Sequence, residues 1–158
     1  MTRRVLFVCT GNICRSPTAE GVLRHLARAR GLTGQIDAGS AGLEGWHAGA
    51  PPDPRTLEHA LRRGYDLSAQ RARQVARRDF ERFDWVIAMD VGHRARLREL
   101  APPAQVHKLR HAAEFATSVP PSGVPDPYYG GARDFETVLN MVEAVCAGVL
   151  AEMAGRVR

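Results

Sequence analysis

The chain has 158 residues, 44% hydrophobic and 25% charged, which suits one domain spanning residues 1–158 with a buried core and excludes wholesale disorder. Its formal charge of +5 rests almost wholly on arginine, with Lys108 the one lysine; with no nucleic-acid motif or interleaved aromatics beside it, that charge predicts no nucleic-acid partner. No apolar run approaches the ~18 residues of a membrane span, and the patch Val5–Val8 behind Arg3-Arg4 is far shorter than a signal segment of ~7–15 residues, so the expectation is a cytoplasmic protein without membrane insertion.

The elements follow in chain order. Val5–Val8 reads as a short strand. A helix is predicted from Pro17 to Arg30, with Ala19, Val22, Leu23, Leu26 and Ala27 at helical spacing, Ser16 as N-cap, Pro17 in the first helical position and Gly31 as the stop. Gln35–Ala38 forms a second strand leading into Gly39-Ser40-Ala41-Gly42. Residues 42–54 are rich in glycine and proline and form a loop. A helix follows from Pro54 to Arg63, burying Leu57, Ala60 and Leu61. Asp84–Met89 is apolar after its first residue, as a parallel strand covered on both faces would be. Val91–Leu100 is a helix with Leu97 and Leu100 inward, Gln105–Leu109 a further strand, and residues 118–131 a loop. The last helix carries one sustained apolar face, Phe135, Val138, Leu139, Val142, Val145, Cys146, Val149, Leu150 and Met153; Cys146 reads as core.

Strands alternating with helices predict an α/β domain of three layers (αβα) around a parallel sheet. Ligands of such sheets bind beyond the carboxyl ends of the strands. Four loops should meet there: Cys9–Ser16, Gly39–Pro52, the turn at Asp90, and the long loop carrying Asp126.

The chemistry concentrates in the first of these loops. Between a strand end and a helix start, Thr10, Gly11, Asn12, Ile13 and Cys14 turn their backbone N–H groups inward and form an anion cradle that extends to Ser16. Cys9 opens the loop. Amide dipoles, the helix end and Arg15 all favour its thiolate, which makes it a candidate nucleophile toward a phosphate ester. Arg15 can fork onto two phosphate oxygens, a geometry lysine lacks. Ser16 can donate to the Cys9 sulfur. Asn12 is expected in the left-handed region, which asparagine tolerates, with its side chain fixed by Ser40.

A phenolic leaving group has a pKa near ~10 and needs a proton donor. Asp126, held between Pro125 and Pro127, is the candidate; Asp90 and Asp53 are rivals. After transfer, the Asp126 carboxylate can activate water, and an acid that becomes a base gives a bell-shaped, acidic pH profile. Cys9 and Cys14 do not form C-x-x-C, and His107 and His111 lack a second pair of ligands. Neither a metal nor a cofactor is expected, because loop amides and Arg15 supply the electrostatics.

Together these residues resemble the low-molecular-weight protein tyrosine phosphatases. The resemblance covers nearly the whole chain and includes Ser40-Ala41-Gly42, Trp46-His47, Pro51-Pro52-Asp53-Pro54-Arg55, Ala72-Arg73-Gln74, Asp79-Phe80, Ala88-Met89-Asp90 and Asp126-Pro127-Tyr128-Tyr129-Gly130. It implies a four-stranded parallel sheet with the phosphate-binding loop between the first strand and first helix. It implies Cys9 as nucleophile, Arg15 as phosphate clamp and Asp126 as general acid and then base, supported by Asn12, Ser16 and Ser40. It implies substrate walls at Ile13, Trp46, Tyr128 and Tyr129, a slot suited to a phenyl ring. It implies reversible disulfide formation between Cys9 and Cys14 on oxidation. The expected partner is a phosphotyrosine-containing protein; by analogy with bacterial relatives, this is a tyrosine kinase or its substrates. Gln70 departs from the pattern, standing where many relatives carry a histidine of the support network.

Three alternatives stay beside this reading. A protein-arginine phosphatase on the same fold tends to carry threonine where this chain has Ile13 and to lack the paired tyrosines. A thiol-dependent arsenate reductase needs further cysteines between Cys14 and Cys146. A non-enzymatic binder of phosphorylated partners would not need Cys9 and Asp126 together.

Overall fold

The computed structural model describes residues 1–155. Nine main elements follow one another: β1 (Arg3–Cys9), α1 (Arg15–Ala29), β2 (Ile36–Gly42), α2 (Pro54–Arg62), α3 (Asp79–Arg82), β3 (Trp85–Ala88), α4 (Val91–Leu100), β4 (Leu109–His111) and α5 (Ala132–Ala154). The four strands form one parallel sheet in the order β2-β1-β3-β4. β1 therefore sits inside the sheet, paired on both sides, and delivers Cys9 to its carboxyl edge.

The strand alternation splits the core in two. Val5, Phe7 and Cys9 face a layer built from α1 and α5, where Leu23, Val142 and Leu150 are fully buried. Leu6 and Val8 face the opposite layer, formed by Phe80 of α3, Phe83 and Leu97 of α4. By length and apolar composition α5 could cross a bilayer. Here its apolar face packs on α1, and every residue of the predicted face is buried, Cys146 included.

Several boundaries differ from expectation. Helix α1 begins at Arg15, so Ser16 is not its N-cap; Cys14 holds that position without a side-chain cap, because the Ser16 hydroxyl is turned toward the sulfur instead. Gly31, at φ 69°, is the stop. β2 continues through Ser40 to Gly42. A Cβ on Gly42 would lie 2.9 Å from the Thr10 carbonyl oxygen, so only glycine lets the end of β2 come this close to the loop. In α2, Ala60 is buried and Leu57 packs on the core, but Leu61 is 61% exposed; α2 packs on α5 through Thr56, His59 and Ala60 instead. The strand expected at Gln105–Leu109 is a 3-10 turn over Pro103–Lys108, with β4 starting only at Leu109. Pro102 and Pro103 lack the N–H groups a ladder needs and favour a turn start. α3 has a single turn, too short to leave a periodic signal.

Candidate active site

The four loops do converge. Cys9, Thr10, Gly11, Ile13, Cys14, Arg15, Trp46, His47, Asp126, Tyr128 and Tyr129 line one pocket of about 170 Å³ at the carboxyl edge of β1. Cys9 and Cys14 are buried free thiols. The backbone N–H groups of residues 11–14 donate to no backbone acceptor among the described residues, which leaves them to bind an anion.

One chain of hydrogen bonds ends on the sulfur. The Arg73 N–H donates to Asn12 Oδ1 at 3.1 Å. This fixes the amide orientation, so Nδ2 donates to Ser16 Oγ at 2.8 Å. Ser16 Oγ lies 3.0 Å from Cys9 Sγ and 3.4 Å from the Ala41 carbonyl. With Asn12 donating into the serine oxygen, the serine proton is free for the nearer sulfur. Asn12 makes this geometry at φ 60°, as expected, and is the one non-glycine residue at positive φ among those described. Ser40 does not hold Asn12: its hydroxyl donates to Glu20 Oε1 at 2.8 Å. Gln70 supports the helix start, its Nε2 donating to the Pro17 carbonyl at 3.0 Å, while its buried Oε1 has no partner.

Arg15 is 4% exposed. Its Nη1 donates to Asp90 Oδ2 and to the Val124 carbonyl, each at 3.0 Å. Nη2 makes longer contacts, 3.3 Å to Thr10 Oγ1 and 3.4 Å to His93 Nε2, and lies 3.6 Å from Asp126 Oδ2. One edge of the guanidinium is thus anchored, and the other is left to grip an oxyanion.

The rival acids are committed elsewhere. Asp90 caps α4, accepting from the His93 N–H at 2.8 Å while it pairs with Arg15. Asp53 is buried, caps α2 and pairs with Arg55. Asp126, on the pocket wall, is 46% exposed at its side chain; Oδ1 accepts from the Tyr128 N–H at 3.1 Å and Oδ2 faces Arg15.

The walls are aromatic and outward. Trp46 is 71% exposed and Tyr129 93%, so these residues form a rim; Trp46 does not anchor the core. Tyr128 meets Tyr129 edge to face at 4.9 Å. The Arg55 guanidinium lies between Tyr128, at 5.4 Å, and Phe135, at 4.7 Å, which braces that wall from below.

His93 escaped the sequence reading. It is buried beneath the loop, with Nε2 2.8 Å from Thr10 Oγ1 and 3.4 Å from Arg15 Nη2. Arginine can only donate, so Nε2 is the acceptor and Nδ1 carries the proton, 3.4 Å from Asp90 Oδ1. Burial, aided by the Arg15 cation, pushes the His93 pKa down to about 4. Its one sequence signal is the Asp90-x-x-His93 spacing of an N-cap and the turn it covers. Burial raises the Cys14 thiol to about 12, against a hydrogen bond from Thr56 that lowers it. Among the described residues no group of three His, Cys, Asp or Glu could hold a metal ion.

Comparison with known proteins places this arrangement. Residues 4–158 match the family model described as low molecular weight phosphotyrosine protein phosphatase. A low molecular weight protein-tyrosine-phosphatase from Streptomyces coelicolor is 47% identical, covering 99% of this chain and 97% of the relative. YfkJ from Bacillus subtilis, named as a phosphatase of the same kind, is 42% identical over 94% of each chain. Its crystal structure superposes with a TM-score of 0.92, covering 99% of this chain and 97% of that one. A protein tyrosine phosphatase from Entamoeba histolytica, solved with Hepes in its active site, gives a TM-score of 0.94 at 34% identity, covering 98% and 99%.

Proposed function

The chain belongs to the low molecular weight phosphotyrosine protein phosphatase family, hydrolases of phosphoric monoesters that act on phosphotyrosine proteins, and we propose that Cys9, Arg15 and Asp126 carry its reaction. The Cys9 sulfur attacks phosphorus; the S–P bond forms as the bond to the phenolic oxygen breaks. Asp126 delivers its proton to that leaving oxygen. The amides of residues 11–14 and the free edge of Arg15 hold the three equatorial oxygens. Water, deprotonated by the Asp126 carboxylate, then attacks phosphorus, and sulfur departs toward the Ser16 hydroxyl. The observation that carries this reading is that sulfur, guanidinium and acid line one pocket, with Arg15 Nη2 3.6 Å from Asp126 Oδ2.

The test is p-nitrophenyl phosphate hydrolysis with and without chelator. Turnover is expected to be unchanged by chelator and absent in Cys9→Ser. Turnover that survives in Cys9→Ser refutes the covalent route.

For the substrate, Ile13, Trp46, Tyr128 and Tyr129 around the mouth favour a planar aromatic ring. Phosphoserine is too short to reach the sulfur past such a rim. Turnover of a phosphotyrosine peptide should exceed that of matched phosphoserine and phosphoarginine peptides; preference for phosphoarginine would favour the arginine-phosphatase alternative. A bacterial tyrosine kinase or its substrates is the partner class we propose. A reducing, cytoplasmic setting suits a reaction that needs a free Cys9 thiol. Two-electron oxidation of Cys9 by a peroxide, itself reduced to water or an alcohol, would give the sulfenic acid, and attack of the Cys14 sulfur with loss of water would then form the protective disulfide.

A further inference from the structure

A charged concavity separate from the catalytic pocket runs along the free edge of β2, walled by α1, the segment 70–73 and α3. It has a volume of about 510 Å³ and shares no lining residue with the catalytic pocket. We infer that this groove is a second anion site, built for a small ligand carrying two or more linked phosphates.

Its charge is unbalanced. Six arginines, Arg4, Arg24, Arg71, Arg73, Arg78 and Arg82, face three carboxylates, Glu20, Asp37 and Asp79. Those carboxylates are already taken. Asp79 grips Arg73 through both oxygens, at 2.9 and 3.0 Å. Glu20 and Asp37 both pair with Arg24, at 3.0 and 3.3 Å. The remaining four guanidiniums have no carboxylate among the described residues. Arg71 donates only to the Ser68 and Gln70 carbonyls. Arg4 lies over the Phe83 ring at 4.9 Å. The side chains of Arg78 and Arg82 have no partner among the described residues. All four are exposed around one cavity.

Arginine presents a planar fork that matches phosphate oxygens. One phosphate would engage part of this set; linked phosphates reach across it. The volume falls within the ~300–1,000 Å³ of ordinary small-molecule sites. The groove also has a physical link to the loop, because the Arg73 side chain lines it while the Arg73 N–H holds Asn12.

The experiment is isothermal titration of inorganic tripolyphosphate, and separately of ATP, into the full chain with orthovanadate saturating the catalytic loop. One site is expected to remain. The double variant Arg78→Ala/Arg82→Ala should weaken it about tenfold or more, while Arg94→Ala/Arg98→Ala on α4 leaves it unchanged. Unaltered p-nitrophenyl phosphate turnover verifies that both variants are folded. Equal affinity for the two probes assigns recognition to the phosphate chain, and preference for ATP assigns it to a nucleotide. No binding once vanadate is present, or equal weakening by both double variants, overturns the site.

Discussion

Asp90 and Arg15 meet at 3.0 Å through Oδ2 and Nη1, and the other oxygen of Asp90 holds the first turn of α4 through the His93 N–H. Asp90 is thereby a positioning residue for the guanidinium. Asp90→Asn should raise KM for p-nitrophenyl phosphate and lower kcat/KM about tenfold, with the shape of the pH profile kept. Loss of the acid-dependent limb in that variant would instead make Asp90 the proton donor.

Asp126→Asn should lower kcat by about 10²–10⁴. The loss should be larger for phenyl phosphate than for p-nitrophenyl phosphate, whose phenolate leaves without a proton. Equal losses on the two substrates would remove Asp126 from the acid role.

In the proposed reaction the hydrogen-bond chain from Arg73 through Asn12 and Ser16 to the sulfur serves the second step, where the thiolate departs. Ser16→Ala should slow hydrolysis of the cysteinyl phosphate more than its formation. Stopped-flow mixing should then show a burst of p-nitrophenolate before the steady state; an unchanged transient with a slow steady rate would place Ser16 in the first step.

His93 makes the fold sensitive to acid. Its folded pKa lies near 4, below its ordinary value of 6.5, because burial and Arg15 disfavour the cation. The unfolded chain therefore takes up the proton first. The His93 contribution to stability is complete above the ordinary value and drains away as pH falls from there toward 4. Urea melts at pH 7 and pH 4.5 should show a larger loss for the wild type than for His93→Asn. Parallel losses would mean that other groups govern acid unfolding.

Cys14 is protonated at neutral pH, since burial holds its thiol near 12. Closure onto an oxidised Cys9 should be slow but protective. After peroxide inactivation, added thiol should restore wild type more fully than Cys14→Ser. Equal recovery would rule out a protective disulfide.

The place of the Cys9–Ser16 loop between β1 and α1 is legible in the sequence because its information is local: a strand, a glycine, an arginine at fixed spacing and a helix lie within a few turns of chain. The alternation of strands and helices likewise fixed the layers, and the apolar stripe of α5 predicted its buried face residue by residue. What escaped depends on contacts across long separations. The ties from Ser40 to Glu20 and from Asn12 to Arg73 follow from where β2 and the segment 70–75 end up, which no local pattern encodes. His93 met its partners Thr10 and Arg15 only through the β1–β3 pairing. The strand expected at Gln105–Leu109 gives way to a turn over Pro103–Lys108, because Pro102 and Pro103 favour a turn start and β4 pairs only from Leu109.

The Cys9 sulfur closes the strand most thoroughly enclosed by neighbours, whereas Asp126, the proposed proton donor, rides an irregular stretch fastened at Gly123 and Val124 to the residues that follow β3. Local opening should release these two halves at different free energies. A breathing motion that carries off the donor leaves a molecule that still seizes anions yet converts none, so on warming, catalytic competence should fade while the anion grip persists, before the chain itself melts.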